Sequence, residues 1–168
     1  MKTPKILLVL ADIQVLNTYG TYLRERGYEI VMCASPGEGI NSLAACQVSL
    51  VIVGQETPAF EGRQVLEYSV RTHPEIPVLV IARVVDVRCY LAAMELGATD
   101  YLEEPEPWDL AWVVETQLLR SEMGRLPEAS ATNSPMGNTL APSPGGVYGR
   151  LLEGAAATGA GGHRFTRR

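Results

Sequence analysis

Few residues in this chain have types and spacings that could support chemistry. Three carboxylates follow apolar runs of strand length: Asp12, Glu56 and Glu104. Because the carboxyl ends of parallel strands meet at one edge of a sheet, the three carboxylates could together form a weak cation site. The simpler alternatives are that Asp12 is the N-cap of the helix that follows it and that Glu56 is a solvated loop residue.

The other candidate groups give no catalytic pattern. His73 precedes Pro74 in a helix–strand loop, where a surface role is expected. The cysteines Cys33, Cys46 and Cys89 have no metal-like spacing and form no CxxC motif, so we expect reduced thiols packed as small apolar side chains. No nucleophile–base pair and no phosphate-binding glycine loop is visible. The sequence therefore predicts neither an enzyme nor a cofactor or metal site.

The elements that would position these residues alternate regularly over the first 120 residues. Short β-branched runs, apolar on both faces, are each followed by a longer stretch with helical spacing. Strands are expected at 5–10, 28–33, 49–53, 77–82 and 100–102, with helices at 13–26, from 36 onward, near 63–72, at 85–96 and at 108–120. Five such strands with right-handed crossovers predict an α/β fold, a doubly wound five-stranded parallel sheet covered on both sides.

Local signals mark several helix ends. Ser35, Pro36 and Glu38 have the spacing of an N-cap, a first-turn proline and the third residue of a capping box. Gly27 and Gly97 stand where helices should stop.

Composition limits the broad class. The chain has 168 residues, 46% hydrophobic and 20% charged, which suits one packed domain plus a tail. Its net charge of −5 gives no general attraction to nucleic acid or anionic lipid. The apolar run at 6–10 is too short for a membrane span, so we expect a cytoplasmic protein without direct membrane or nucleic-acid binding.

Composition changes after residue 120. In the segment 121–168, 28 of 48 residues are Gly, Ala, Pro, Ser or Thr, which leaves little apolar surface to offset the entropy of ordering it. We therefore expect a folded domain over 1–120 and a low-complexity, disordered tail over 121–168.

A set of short motifs resembles the receiver domains of two-component response regulators. The resemblance spans about 5–119, and the run after the fourth helix is its most specific part. The motifs are GYEI (27–30), Pro58 with Gly62, PEIPVLVIA (74–82) and GATDYLEEP (97–105). The resemblance implies a flavodoxin-like fold and a signalling role in which an aspartate accepts a phosphoryl group from a histidine kinase.

The positions that this chemistry needs are all altered. By the resemblance, the acidic pair that holds a divalent cation falls on Leu10 and Ala11, and the phosphoacceptor falls on Gly54. The hydroxyl after the fourth strand falls on Ala82 and the lysine on Glu104. Glycine offers no side chain to phosphorylate, and Leu10 and Ala11 cannot ligate a metal. Orthodox phosphotransfer is therefore excluded on chemical grounds.

Arg83 stands next to the altered hydroxyl position. We expect either a salt bridge across the vacated pocket to Glu104 or Glu56, or a solvated arginine.

The remaining information lies in apolar residues of the fourth and fifth helices and the fifth strand. Val87, Tyr90 and Met94 share one helical face by their spacing. In receivers the matching face is the usual output or dimer surface. The expected interaction face comprises Val87, Tyr90, Met94, Tyr101, Trp108 and Trp112. The alternative is that these residues pack against the domain's own core.

These observations predict a pseudo-receiver: a phosphorylation-independent interaction module that docks a protein partner or a second copy. Ala82 leaves space beneath the fifth strand, so the Tyr101 ring is expected to turn inward. The alternative function is a sensor whose emptied crevice binds a small molecule or ion. A third class, an enzyme such as a phosphatase or flavin protein, lacks any supporting constellation.

Overall fold

A computed structural model describes residues 2–124 of the chain. Five strands alternate with five helices, and every expected element is present. The strands are β1 (Lys5–Val9), β2 (Glu29–Cys33), β3 (Leu50–Gln55), β4 (Val78–Ala82) and β5 (Asp100–Glu103). The helices are α1 (Ile13–Glu25), α2 (Pro36–Ala45), α3 (Arg63–Thr72), α4 (Val87–Leu96) and α5 (Pro107–Gly124).

The strands form one parallel sheet in the order β2-β1-β3-β4-β5. This is the doubly wound α/β fold that the sequence predicts. The winding direction reverses between β1 and β3, and ligand crevices of such sheets open at the carboxyl ends of the strands on either side of that reversal. In the register of β3 with β4, Gly54 lies opposite Ile81 and Gln55 lies opposite Ala82.

Two apolar layers cover the sheet. One face packs against α1 and α5 through residues such as Leu23 and Leu110, and the other packs against α2, α3 and α4 through residues such as Leu66. Leu66 and Leu110 are fully buried, and each such side chain contributes about 1.5–3 kcal/mol of transfer free energy. Burial on both faces explains why each strand is a continuous apolar run.

The helix ends follow the local sequence signals. Ser35 Oγ accepts a hydrogen bond from the Glu38 backbone N–H at 3.3 Å, while Glu38 Oε2 accepts from the Ala34 N–H, one residue before the expected Ser35 partner. Gly27 and Gly97 have φ values of 90° and 103°, the left-handed region that glycine enters without steric cost. Ser35 and Pro36 therefore fix where α2 begins, and Gly27 and Gly97 fix where α1 and α4 end.

Two elements are longer than the sequence predicts. β3 continues through Gly54 and Gln55, which were expected in a loop, because both pair in register with β4. α5 begins at Pro107 and continues to Gly124, since Ser121, Glu122 and Met123 extend the helix past the expected boundary at 120. The prediction of a disordered tail concerns residues that, from 125 onward, lie outside the described part of the chain.

Candidate functional site

A crevice of about 210 Å³ opens at the carboxyl ends of the strands. It lies where the receiver resemblance places the phosphorylation pocket. The residues lining it are Leu10, Asp12, Val15, Tyr19, Gly54, Glu56, Ile81, Ala82, Arg83 and Glu104. Of the five positions that the receiver resemblance assigns to phosphotransfer, Leu10, Gly54, Ala82 and Glu104 line this cavity, and Ala11 adjoins it in sequence.

Leu10 occupies the space above Gly54. The Leu10 side chain is only 3% exposed, and a Cβ placed on Gly54 would lie 2.8 Å from Leu10 Cδ2. Carbon atoms do not approach so closely, so any side chain at position 54 requires Leu10 to move. The crevice floor above Gly54 is thus filled by the hydrocarbon side chain of Leu10.

Two of the three acidic residues that line the crevice, Asp12 and Glu56, are engaged with the protein itself. Asp12 Oδ1 accepts hydrogen bonds from the backbone N–H groups of Gln14 and Val15, so Asp12 caps α1 as one alternative predicted. Glu56 Oε1 accepts a hydrogen bond of 2.8 Å from the Asp12 backbone N–H and therefore ties the β3–α3 loop to α1. Within residues 2–124, no group of three His, Cys, Asp or Glu is placed to hold a metal ion.

Arg83 makes a different contact from the one expected. Its Nη1 lies 3.4 Å from Asp12 Oδ2, so the salt bridge crosses the crevice mouth to Asp12, and not to Glu104 or Glu56. The Arg83 backbone explains the geometry, since its N–H donates to the Gln55 carbonyl and anchors the residue beside β3. The pair is largely exposed and contributes at most about 1 kcal/mol.

Glu104 lies at the crevice edge with an unusual backbone. Its φ is 33°, in the left-handed region, while its N–H donates to the Ala82 carbonyl at 2.9 Å. Beside it, the Tyr19 hydroxyl donates to the Pro105 carbonyl at 2.6 Å and joins α1 to the β5–α5 loop. Burial, followed by the negative charges of Glu106 and Glu104, raises the pKa of Tyr19 above its ordinary value. The Glu104 carboxylate thus occupies the position to which the receiver resemblance assigns a lysine.

A buried polar contact connects β3 to the edge of the sheet. Gln55 is fully buried, and its Oε1 accepts a hydrogen bond from the Tyr101 hydroxyl at 2.5 Å, while its Nε2 donates to the Thr57 carbonyl at 2.9 Å. The Tyr101 ring thus has the inward orientation that the sequence predicts, and burial raises its pKa above the ordinary value. Tyr90 of α4 meets this ring edge-to-face at a centroid distance of 5.5 Å. The sequence did not identify Gln55, because a glutamine after a strand resembles a loop residue.

The β3–α3 loop is held by one carboxylate. Glu61 accepts hydrogen bonds from the Glu56 and Thr57 backbone N–H groups and from the Thr57 hydroxyl. Burial alone would raise the pKa of Glu61, but these hydrogen bonds outweigh burial and hold the pKa below its usual range. Gly62 ends the loop at a close approach to the backbone of β3. Only glycine fits there, because a Cβ at position 62 would lie 2.6 Å from the Gly54 carbonyl oxygen. The loop that borders the crevice is therefore tightly ordered.

Most of the expected interaction face is exposed. Val87, Tyr90 and Met94 lie on one side of α4, whereas Cys89 and Ala93 on its other side are buried in the core. Trp108 and Trp112 of α5 are also exposed, and Tyr101 is half-buried. The alternative that these residues form core therefore holds only in part, for Tyr101. The exposed apolar residues that the sequence did not single out are Ile13, Val84, Val85, Leu91, Leu119 and Met123.

The remaining candidates lie away from the crevice. His73 follows α3 in a loop that leads into β4, and its Nδ1 is 3.8 Å from a Glu75 carboxylate oxygen. All three cysteines are free. Among the helices of the described part, none is long and apolar enough to cross a membrane.

The fold and the crevice together define a doubly wound α/β domain with its site at the carboxyl ends of β1, β3, β4 and β5. The model of the response regulator receiver domain family matches residues 6–111, more than half of the chain. The chain therefore belongs to the response regulator receiver domain family, the signalling domain of two-component systems.

Relatives among characterised proteins are transcriptional regulators by name. The chain is 29% identical over 119 residues to the probable transcriptional regulator ycf27 of Cyanophora paradoxa, covering 70% of this chain and 49% of that protein. It is 27% identical over 130 residues to the transcriptional activator protein PfeR of Pseudomonas aeruginosa, covering 76% and 42%. The chain thus spans about half the length of these relatives.

Solved structures agree on the fold. A CheY-like receiver domain protein from Methanospirillum hungatei matches with a TM-score of 0.69 at 23% identity, over 73% of this chain and 99% of that one. The BeF3-activated DrrB receiver domain matches with a TM-score of 0.63 at 22% identity, over 71% and 100%. At these identities the likeness concerns the fold alone.

Proposed function

We propose that this chain is a pseudo-receiver, a member of the receiver family that signals by docking and not by accepting a phosphoryl group. The observation that carries the proposal is the packing of Leu10 against Gly54 at the crevice floor. A phosphoryl group needs a carboxylate nucleophile, a cation site and a balancing positive charge. The chain offers glycine, leucine and Glu104 at those places.

Two observations support docking through α4, β5 and α5. Methionine and aromatic side chains, which are enriched in protein interfaces, are exposed there without cover from the described residues. The hydrogen bond from Tyr101 to buried Gln55 also favours one position of the ring that supports Tyr90. In the proposal, this contact maintains the face in a single binding state, and occupancy follows partner concentration.

The proposal predicts that the chain is not phosphorylated and that its binding to a partner does not depend on phosphorylation. Incubation with acetyl phosphate and magnesium should leave the intact mass and the affinity for a captured partner unchanged. Met94→Glu should weaken that affinity by about 1–3 kcal/mol, because a few buried apolar anchors dominate an interface. Ile13→Glu is the matched control, since Ile13 is an exposed apolar residue on α1, outside the proposed face. A phosphoryl adduct at the crevice, or equal affinity for Met94→Glu and the parent, would contradict the proposal.

A second candidate function is suggested by the crevice volume. The cavity of about 210 Å³ has an apolar floor that includes Ile81 and Ala82, with charged groups at its mouth, and this combination suits a small organic ligand. Ligands of the native state raise the melting temperature. Thermal shifts with metabolites and ions should therefore be compared between the parent and Ala82→Leu, which fills the cavity. A ligand that stabilises the parent but not Ala82→Leu would favour the sensor.

A further inference from the structure

Helix α5 is apolar on two opposite faces. Its inner face is buried in the core through Leu110, Ala111, Val114, Gln117 and Leu118. On the outer side, four large apolar side chains are 59%, 67%, 54% and 72% exposed, in the order Trp108, Trp112, Leu119 and Met123. A helix on the surface of a lone domain normally presents polar residues there. The four outer residues, called here the α5 stripe, therefore lack a cover among the described residues.

The α5 stripe is narrow and symmetric. At about 100° per residue, its four members fall within an arc of about 60°, centred opposite the buried face. Their separations are four, seven and four residues, so Trp108 pairs with Met123, and Trp112 with Leu119, about a midpoint between 115 and 116. A twofold axis through that midpoint would bring each tryptophan of one copy onto an aliphatic side chain of the other.

We infer that the α5 stripe binds a second copy of this chain, with the two α5 helices antiparallel about the midpoint between 115 and 116. This inference rests on the proposed function and names the partner for the α5 part of the docking face. Two features of the outer surface support it, the flanking charges and the available area, while Glu115 beside the axis opposes it.

The charges that flank the α5 stripe are complementary in this arrangement. Asp109 and Arg120 lie on the same side of the stripe, at about 100° and 120° from Trp108. The twofold axis places Arg120 of the second copy level with position 111, about 3 Å along the helix from Asp109. None of the ion pairs found within residues 2–124 includes either residue. Two Asp109–Arg120 pairs therefore form across each dimer.

The other flank carries an opposing feature. Glu115 is exposed and lies close to the axis, so the two Glu115 carboxylates of a dimer face each other. Like charges in that position weaken the association. The arrangement therefore predicts the sign of two different charge substitutions on one helix, weaker for Arg120→Asp and tighter for Glu115→Gln.

The apolar area suits a weak dimer. With side-chain areas on the order of 200 Å², the exposed parts of the four residues amount to about 500 Å² per copy. The pair would bury about 1,000 Å², near the lower limit for a specific interface. A dissociation constant on the order of micromolar is therefore expected, so that concentration controls the dimer.

Sedimentation equilibrium of the full chain over a range of concentrations tests the inference. The parent should dimerise reversibly, and Leu119→Glu should weaken dimerisation at least about tenfold, equivalent to about 1.4 kcal/mol. Ile13→Glu is the matched control: it places the same charge at an exposed apolar residue of α1, outside both the α5 stripe and the proposed docking face, and should change the constant by less than about twofold. Circular dichroism melts confirm that each variant is folded.

Charge variants test the register. Arg120→Asp and Asp109→Arg should each weaken the dimer by about three- to tenfold, and the double variant should restore it to within about twofold of the parent. Glu115→Gln should tighten it. A monomer at all concentrations, a dimer insensitive to Leu119→Glu, or no recovery in the double variant would overturn the antiparallel α5 pairing.

The same runs with acetyl phosphate and magnesium separate this inference from the proposed function. Dimerisation that appears only with acetyl phosphate but still follows the charge variants would overturn the phosphorylation-independent function and leave the α5 pairing intact. Dimerisation that Val87→Glu abolishes and Leu119→Glu does not would overturn the α5 pairing and leave the function intact.

Discussion

A side chain added at position 54 should destabilise the domain, because it would collide with Leu10, and the closeness of that contact sets the size of the effect. In Gly54→Ala the new Cβ would lie 2.8 Å from Leu10 Cδ2, in a part of β3 that is buried. Overpacking of this kind costs about 1–3 kcal/mol. Gly54→Asp adds a carboxylate at a buried position whose Cβ is 3.8 Å from Glu56 Oε1, so we expect about 3–5 kcal/mol at pH 7.

The charge of the introduced aspartate makes the stability of Gly54→Asp depend on pH in a predictable direction. Burial and the neighbouring Glu56 would raise the folded-state pKa of the introduced aspartate above its unfolded value of about 3.9. The penalty of Gly54→Asp relative to Gly54→Ala should therefore be small below about pH 4 and grow as the pH rises to 7. Urea unfolding at several pH values measures both contributions.

Leu10→Ala should relieve the steric clash that destabilises Gly54→Ala. Alone it costs about 2–5 kcal/mol, but combined with Gly54→Ala the total should fall short of the sum by about 0.5–3 kcal/mol, because both changes act on one space. Gly37→Ala and Gly37→Asp are matched controls at an exposed position of α2, since nothing lies within 4 Å of a Cβ at Gly37, and each should be neutral or stabilising by up to about 1 kcal/mol. If Gly54→Ala were as neutral as Gly37→Ala, or strictly additive with Leu10→Ala, then Leu10 would not fill the crevice floor.

Three further predictions follow from contacts around the crevice and the face. Tyr101→Phe should lower the free energy of unfolding, measured with urea, by about 1–3 kcal/mol, because Gln55 Oε1 is then buried without a donor. Tyr90→Phe is the control and should be nearly neutral, since the Tyr90 hydroxyl has no hydrogen bond within residues 2–124. Hydrogen bonds lower the folded-state pKa of Glu61, so the stability it contributes is present above the ordinary glutamate pKa of 4.5 and is lost as the pH falls through the lowered folded-state value. In Glu61→Gln the free energy of unfolding should therefore depend less on pH in this range. A pH dependence as steep as that of the parent would contradict the role of Glu61. The phenol absorbance of Tyr101, isolated by difference from Tyr101→Phe, should titrate above pH 10.0, and a lower midpoint would show that the ring is solvated.

Much of the fold could be predicted because it depends on local signals and burial. The continuous apolar strands indicate a parallel sheet covered on both faces, and the structure has that sheet. The capping residue Ser35 and the left-handed glycines Gly27 and Gly97 set helix ends through contacts within a few residues. Asp12 caps α1 for the same reason.

The errors concern contacts between residues far apart in sequence. Arg83 pairs with Asp12, 71 residues away, and the choice among three nearby carboxylates depends on backbone geometry that spacing does not reveal. The Gln55–Tyr101 hydrogen bond spans 46 residues, and Gln55 was expected in a loop, where glutamine is commonly solvated. The outer face of α5 was incomplete because Leu119 was treated as an ordinary helix residue and Met123 fell in the expected disordered tail, beyond the predicted helix end at 120. Their exposure became apparent only when the buried face was located.

If this receiver domain works without a phosphoryl group, as proposed, its mass should not change in the presence of a phosphoryl donor. The full chain is incubated with acetyl phosphate and magnesium, and its intact mass is compared with that of an untreated sample. No added phosphate is expected, because Gly54, Leu10 and Ala11 provide neither nucleophile nor cation site, and Glu104 provides no balancing charge. A stoichiometric phosphoryl adduct located in the crevice by peptide mapping would contradict it.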